Sequence, residues 1–234
     1  MQEMERLHGF IVKKLSQKPD YLPISQEEFV ERTLAAWVAG DEESRVSAAF
    51  RGGEREWAAL WSDESYKVRG AVACRASEKY QMKLLIDPVP EVRKLLAVYG
   101  TDGVRHALLD RGETDRDILT QIAKYGSTTT RHRLVDVAWN DPKTLHEIAR
   151  YLPASALEKL LTHPNMEVRI DAASHGSIDQ CQRVLAMPYS RHDITVVFMR
   201  EWLIERMKEL DEAANAINVG RDRTRNIQEM GLSS

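Results

Sequence analysis

The chain has 234 residues, of which 43% are hydrophobic and 29% charged, and its formal net charge is −3 at pH 7. These values are typical of a folded protein with a sizeable core, and they lack the overall basic character that nucleic-acid binders usually show, although a local patch could hide in them. No apolar run approaches the roughly 18 residues needed to span a bilayer, so no membrane association is expected.

The N-terminal residues 1–16 predict an amphipathic helix, with an apolar stripe of Leu7, Phe10, Ile11 and Leu15. They have no continuous apolar stretch of the kind found in signal peptides. The segment SQKPDYLPIS, residues 16–25, interrupts the helix, and Ser25 with Glu28 has the pattern of a capping box for the next helix. Residues 1–24 are therefore expected to form a capping helix and a linker.

From residue 25 to residue 190 the chain repeats itself. An apolar dipeptide recurs at steps of 24 or 26 residues. Its copies are Ala36-Trp37, Leu60-Trp61, Leu84-Leu85, Leu108-Leu109, Leu134-Val135, Leu160-Leu161 and Val184-Leu185. A second column in the same register holds only alanine, and its members are Ala49, Ala73, Ala97, Ala123, Ala149 and Ala173. The pattern predicts about seven units that stack into one continuous core.

Each unit is expected to contain two short helices joined by a turn. Asp87-Pro88, Asp141-Pro142 and His163-Pro164 mark the turn, because proline suits the first position of a new helix and is disfavoured inside one. Glycine recurs three residues after the alanine, where it predicts a left-handed stop for the second helix. Strand signals are scarce, so the sequence predicts an all-α protein.

The C-terminal part predicts a second cap. Residues 191–217 carry a helical apolar pattern that would cover the last unit. Residues 218–234 are polar and rich in arginine. They are consistent either with a mobile end or with an arm that pairs with a partner or with a second copy of the chain.

The segments DPVPEVRKLLAVYG and HPNMEVRIDAASHG resemble the leucine-rich repeat variant family and, more distantly, HEAT-type repeats. The resemblance covers roughly residues 30–200. It implies a right-handed α-solenoid of two-helix repeats, 24–26 residues each, with capping helices at both ends. Some members of the variant family carry an N-terminal cysteine cluster for an iron–sulfur centre, but this chain has no cysteine before Cys74, so no cofactor is expected. Cys74 and Cys181 are too few for a disulfide framework and are predicted to be buried thiols of a cytoplasmic protein.

The arginine of the EVR-like triplet recurs in four units, as Arg45, Arg69, Arg93 and Arg169. One interpretation makes it a row of cations that tracks phosphates. The favoured interpretation is structural, because Leu119 and Leu145 occupy the same column. Asp63 and Asp87 lie six residues before Arg69 and Arg93, a spacing that resembles the Asp–Arg ladder of HEAT repeats and implies a link between successive units.

A more variable column near the end of each second helix is the predicted binding ridge. It comprises Arg51, Arg75, Tyr99, Tyr125, Tyr151 and His175. Arginine and tyrosine are enriched at binding hot spots. The alternative interpretation is that each tyrosine is half-buried between units with its hydroxyl at the rim.

No zinc, phosphate-loop, dinucleotide or nucleophile motif is present, so neither an enzyme nor a metal site is expected. The predicted function is a non-enzymatic scaffold that binds another protein. Nucleic-acid binding is the alternative. Its least favoured form is an enzyme similar to the HEAT-like alkylpurine DNA glycosylases, which depend on a Trp/Trp/Asp cluster that Trp57, Trp61 and Asp63 would have to supply.

Overall fold

The computed structural model describes residues 25–190 and 192–229, apart from the side chains of Gln26 and residues 218–229. Within those ranges every regular element is helical, as the all-α prediction requires, and there is no strand. The described residues form two compact units that divide after Gly126. The predicted N-terminal helix over residues 1–16 lies outside the described residues.

The first unit contains eight α-helices in the described range, which alternate between two layers. They are α1 (Gln26–Val38), α2 (Glu42–Arg51), α3 (Glu54–Leu60), α4 (Tyr66–Arg75), α5 (Glu78–Lys83), α6 (Pro90–Tyr99), α7 (Asp102–Asp110) and α8 (Arg116–Tyr125). A short 3₁₀ turn, Leu84–Ile86, extends α5. The second helices contact one another in series, α2 with α4, α4 with α6 and α6 with α8.

The second unit contains six α-helices in the described range. Its helices are α9 (Thr128–Val137), α10 (Pro142–Ile148), α11 (Ala154–Leu160), α12 (Met166–Ser174), α13 (Ile178–Ala186) and α14 (Ile194–Glu229). A 3₁₀ turn, Ala149–Tyr151, follows α10. Helix α10 contacts α12, and α12 and α13 both pack against α14.

The helix starts follow ordinary capping chemistry. The Ser25 hydroxyl accepts a hydrogen bond of 3.1 Å from the backbone N–H of Glu28, which satisfies one unpaired donor of the first turn of α1. The carboxylate of Glu28 pairs with Arg32 rather than returning to Ser25, so this is one half of the expected capping box. Pro90 and Pro142 occupy the first helical positions of α6 and α10.

The alanine column lies in the buried core of each unit. All six alanines are buried, and Ala97 in α6 is 0% exposed. The residue before each alanine is also buried, and these residues are Ala48, Val72, Leu96, Ile122, Ile148 and Ala172. A small side chain in this column lets the next helix approach closely, so the repeat pattern in the sequence is a packing pattern.

The predicted left-handed glycine stop is wrong. Gly52, Gly100 and Gly126 end their helices with φ of −79°, −69° and −75°, values that any residue adopts. Gly52 and Gly100 fit a close approach instead, because a Cβ on Gly52 would lie 2.6 Å from the Ala48 carbonyl oxygen and one on Gly100 would lie 2.5 Å from the Leu96 carbonyl oxygen. Among the described residues only Gly112, in the turn after α7, has a positive φ, at 78°.

The C-terminal helix is longer than predicted. It runs from Ile194 to Glu229 without a break, beyond the expected end at residue 217. The polar composition of residues 218–229 suggested a tail, but these residues contain no proline, and polar side chains do not by themselves end a helix. Val196 and Leu203 are buried on this helix. None of the described helices is both long enough and apolar enough to cross a membrane.

Candidate interaction surface

In the first unit, three arginines each form an ion pair with a carboxylate in the following turn. In each case Nε donates to one carboxylate oxygen and Nη2 to the other. The three pairs, called here the arginine ladder, are Arg45–Asp63 (2.7 and 3.1 Å), Arg69–Asp87 (2.6 and 3.0 Å) and Arg93–Glu113 (2.7 and 3.4 Å). The carboxylate lies 18 to 20 residues after the arginine rather than six residues before it.

The same guanidinium groups also donate hydrogen bonds to backbone carbonyl oxygens in the turn that precedes their own helix. Nη1 of Arg69 donates to the carbonyl oxygen of Asp63 at 2.8 Å, and Nη1 of Arg93 donates to that of Asp87 at 2.8 Å. The aspartate six residues earlier therefore contributes its backbone carbonyl to the arginine that follows it, and its carboxylate to the arginine of the previous repeat.

The ladder charges are shielded from solvent. The Asp87 side chain is 2% exposed and that of Glu113 is 7% exposed. Burial acts to raise the pKa of Glu113, but hydrogen bonds from Arg93 and from the Asp115 backbone outweigh it, so the pKa of this carboxyl is lowered. These arginines are occupied within the fold and present little charge to an outside phosphate.

Among the described residues of the second unit, no such pair is found in this column. Arg169 donates to the carbonyl oxygen of His163 at 2.8 Å, and its other nitrogens face the sulfur of Met166. It has no carboxylate partner among the described residues. Leu145, in the same column, is buried.

Four of the six predicted ridge residues lie in the first unit, where Arg51, Arg75, Tyr99 and Tyr125 are the last residues of α2, α4, α6 and α8. All four are exposed, with Tyr99 at 58% and Tyr125 at 44%. Because these helices contact one another in series, the four side chains form a row, called here the first-unit ridge.

The ridge residues differ in their neighbours. The Arg51 guanidinium lies 5.8 Å from the centre of the Trp37 ring, and the Lys124 ammonium lies 5.1 Å from the centre of the Tyr125 ring. Arg75 makes no hydrogen bond and no ion pair with any described residue, so its guanidinium is available to a partner.

A pocket of about 290 Å³ opens on this ridge, lined by Phe50, Cys74, Arg75 and Tyr99. Cys74 is half-buried rather than buried as predicted, because its column faces outward. Burial raises the pKa of its thiol to about 11, although Arg75 acts to lower it. The thiol is therefore protonated at neutral pH, and it lines the pocket as a small apolar group.

The remaining two ridge residues lie in the second unit. Tyr151 ends the 3₁₀ turn after α10 and is half-buried, with the Arg150 guanidinium 5.8 Å from its ring centre. His175 follows the last residue of α12 and is exposed. Tyr151 is thus half-buried, as the alternative interpretation expected of each tyrosine, whereas Tyr99 and Tyr125 are exposed.

His175 belongs to a cluster that the sequence did not suggest. Asp171 is buried, and its Oδ1 lies 3.2 Å from Nδ1 of His146 and 4.0 Å from Nε2 of His175. Burial raises the pKa of Asp171 although the two histidines oppose it, and burial lowers the pKa of His175. His146 and Asp171 are 25 residues apart, which is close to the repeat period. That period is the sequence signal from which their proximity could have been predicted.

The residues that a glycosylase-like site would need are engaged elsewhere. The Trp57 indole N–H donates to the carbonyl oxygen of Ala49 at 2.9 Å. The Asp63 carboxylate accepts from Arg45 and from the backbone N–H of Ser65 at 2.8 Å. The Lys83 ammonium lies 4.6 Å from the centre of the Trp61 ring.

Comparison with protein-family models and with curated proteins finds no match. Among solved structures, the chain is similar to one described as a leucine-rich repeat variant with a novel repetitive protein structural motif. The two share 20% sequence identity and a TM-score of 0.53, over 87% of this chain and 83% of the other. At this identity the likeness concerns the fold. The predicted resemblance to leucine-rich repeat variants is confirmed in that sense, and the protein has a helical repeat fold.

Proposed function

We propose that the protein is a non-enzymatic, cytoplasmic scaffold that binds another protein along its repeats, with the first-unit ridge as the main contact. The observation that carries the proposal is the exposed row of arginine and tyrosine at the ends of α2, α4, α6 and α8. Stacked repeats create extended binding surfaces, and these residue types concentrate binding energy.

The chemistry of the ridge favours an acidic or phosphorylated patch on the partner. Arg75 has no partner within the described residues, and a guanidinium forms forked hydrogen bonds with a carboxylate or a phosphate. Tyrosine adds a large contact area with a polar tip, which suits a surface that is wet on one side.

The ladder weighs against the nucleic-acid alternative. Arg45, Arg69 and Arg93 hold carboxylates inside the fold, so they do not form a row of cations for a phosphate backbone. Trp57 and Asp63 are likewise engaged within the first unit.

Affinity isolation from the source organism tests the scaffold. The full chain should recover one dominant protein partner, and the double variant Tyr99→Ala with Tyr125→Ala should recover at least tenfold less of it. The control is Tyr66→Ala, since Tyr66 is 47% exposed and lies at the opposite end of α4 from the ridge. A partner that is recovered equally by the double variant and by the control would place the contact elsewhere and overturn the assignment of the ridge.

A mobility shift with duplex DNA at low salt tests the alternative. We expect no shift. A shift that weakens steeply with added salt, and that is lost on combining Arg51→Ala with Arg75→Ala, would replace the scaffold with a nucleic-acid binder.

A further inference from the structure

We propose that the pocket lined by Phe50, Cys74, Arg75 and Tyr99 is a socket for one aromatic side chain of an acidic protein segment. This inference rests on the proposed function and names the partner's chemistry. The ring would enter between Phe50 and Tyr99, and a carboxylate beside it would pair with Arg75.

The socket arises from the register of three successive repeats. Phe50 comes from α2, Cys74 and Arg75 from α4, and Tyr99 from α6. Phe50, Cys74 and Val98 share one column of the repeat, and the smallest of the three stands in the middle. A small side chain between two larger ones leaves a depression in the surface at this register.

The walls of the socket suit an aromatic ring. Phe50 is 44% exposed, so part of its ring lies in water and would be covered by a ligand. The Cys74 thiol, which also lines the socket, is uncharged at neutral pH. A pocket of about 290 Å³ has room for one ring, since a cavity of about 150 Å³ already binds benzene.

The rim of the socket supplies the charge preference. Several other exposed arginines are matched within the fold, as Arg55 is by Glu31 and Arg183 by Glu158. Arg75 has no such carboxylate among the described residues, and the Tyr99 hydroxyl has no hydrogen-bond partner there either. A carboxylate supplied by a partner would satisfy both groups.

Three fluorescein-labelled peptides test the socket by fluorescence anisotropy with the full chain. They are GEEFEEG, GEEAEEG and GKKFKKG, each amidated at the C-terminus. We expect the first to bind at least tenfold more tightly than the second, which lacks the ring, and than the third, which reverses the charge. Equal binding of GEEFEEG and GEEAEEG would overturn the proposal.

Two variants locate the binding. Cys74→Leu should fill the socket and remove the preference for phenylalanine, and the column tolerates larger groups, as Phe50 and Val98 show. Arg75→Ala should remove the preference for the acidic peptide. Arg111→Ala is the matched control, because Arg111 is exposed, lies at the end of α7 and makes no side-chain ion pair with the described residues. If both socket variants bind GEEFEEG as the parent does while circular dichroism shows a native fold, the socket is wrong.

The outcome separates this inference from the scaffold itself. A natural partner that depends on Tyr125 but is indifferent to Cys74→Leu would refute the socket and leave the scaffold standing. Socket-dependent peptide binding without any protein partner would refute the scaffold and leave the socket standing.

Discussion

Helix α4 carries two arginines, six residues apart, in opposite situations. Arg69 makes four hydrogen bonds, two of them to the buried carboxylate of Asp87, and its side chain is 13% exposed. Arg75, at the end of the same helix, is exposed and has no partner among the described residues. The two arginines differ in whether the side chain reaches a carboxylate in the next turn. That position, and not the residue type, decides whether an arginine stabilises the fold or remains available to a partner.

The largest effect is expected from breaking a ladder pair. Arg69→Met keeps a long side chain but leaves the Asp87 carboxylate buried without a cation, which should lower the free energy of unfolding by about 3 kcal/mol. Arg75→Met should change it by less than about 0.5 kcal/mol. Urea denaturation of both variants measures the contrast, and equal losses would erase the distinction between the two columns.

A smaller change in stability is expected from a substitution on α6, where two positions that lie two residues apart should respond differently. Ala97→Leu inserts three carbons at a fully buried helix contact and should destabilise the protein by about 2 kcal/mol through overpacking. Tyr99→Leu, on the exposed ridge, should leave the midpoint of thermal unfolding nearly unchanged. If Ala97→Leu also leaves the midpoint unchanged, the alanine column does not set the helix spacing.

The smallest effect is expected in the pH dependence of stability. The pKa of Glu113 is lowered from its ordinary 4.5 by Arg93, so this group stabilises the fold above that pH, and its contribution is lost as the pH falls through the lowered value. Glu113→Gln removes this titration. The stability advantage of the parent over the variant should therefore shrink between pH 6 and pH 3 in urea denaturation, and an advantage that stays constant would mean that the pair is not ionic.

The sequence predicts well what every repeat shares. The alanine column and the apolar column before it are buried because each copy meets the same neighbours, so a recurring residue reports a recurring environment. The helical repeat fold follows from that regularity.

Features that depend on pairing between repeats were harder to predict. Glu113 was not identified as a ladder carboxylate, because its register relative to Arg93 depends on how the turn after α7 is shaped around Gly112. The cluster of His146, Asp171 and His175 was also missed, because it joins residues from two repeats and no local motif marks it. A recurring glycine at a helix end can have two structural reasons, a left-handed backbone or a close approach of neighbouring atoms. Only the backbone angles distinguish them.

Other side chains also meet across one repeat. Salt bridges join residues 23 to 25 positions apart on the surface, among them Lys67–Glu42 at 2.7 Å and Lys94–Asp117 at 3.0 Å in the first unit. Each is exposed to solvent, so it contributes little to the stability of the fold. Their spacing follows the repeat period and would be disturbed by a single-residue insertion.

The arginine ladder also bears on how the first unit opens. Each arginine binds its own turn and the next, so a repeat cannot unravel without releasing its neighbour. Nearest-neighbour links of this kind make an array cooperative. Slow amide exchange in α2, α4 and α6 should therefore share one opening free energy, with protection that rises and falls as a block instead of fading from helix to helix.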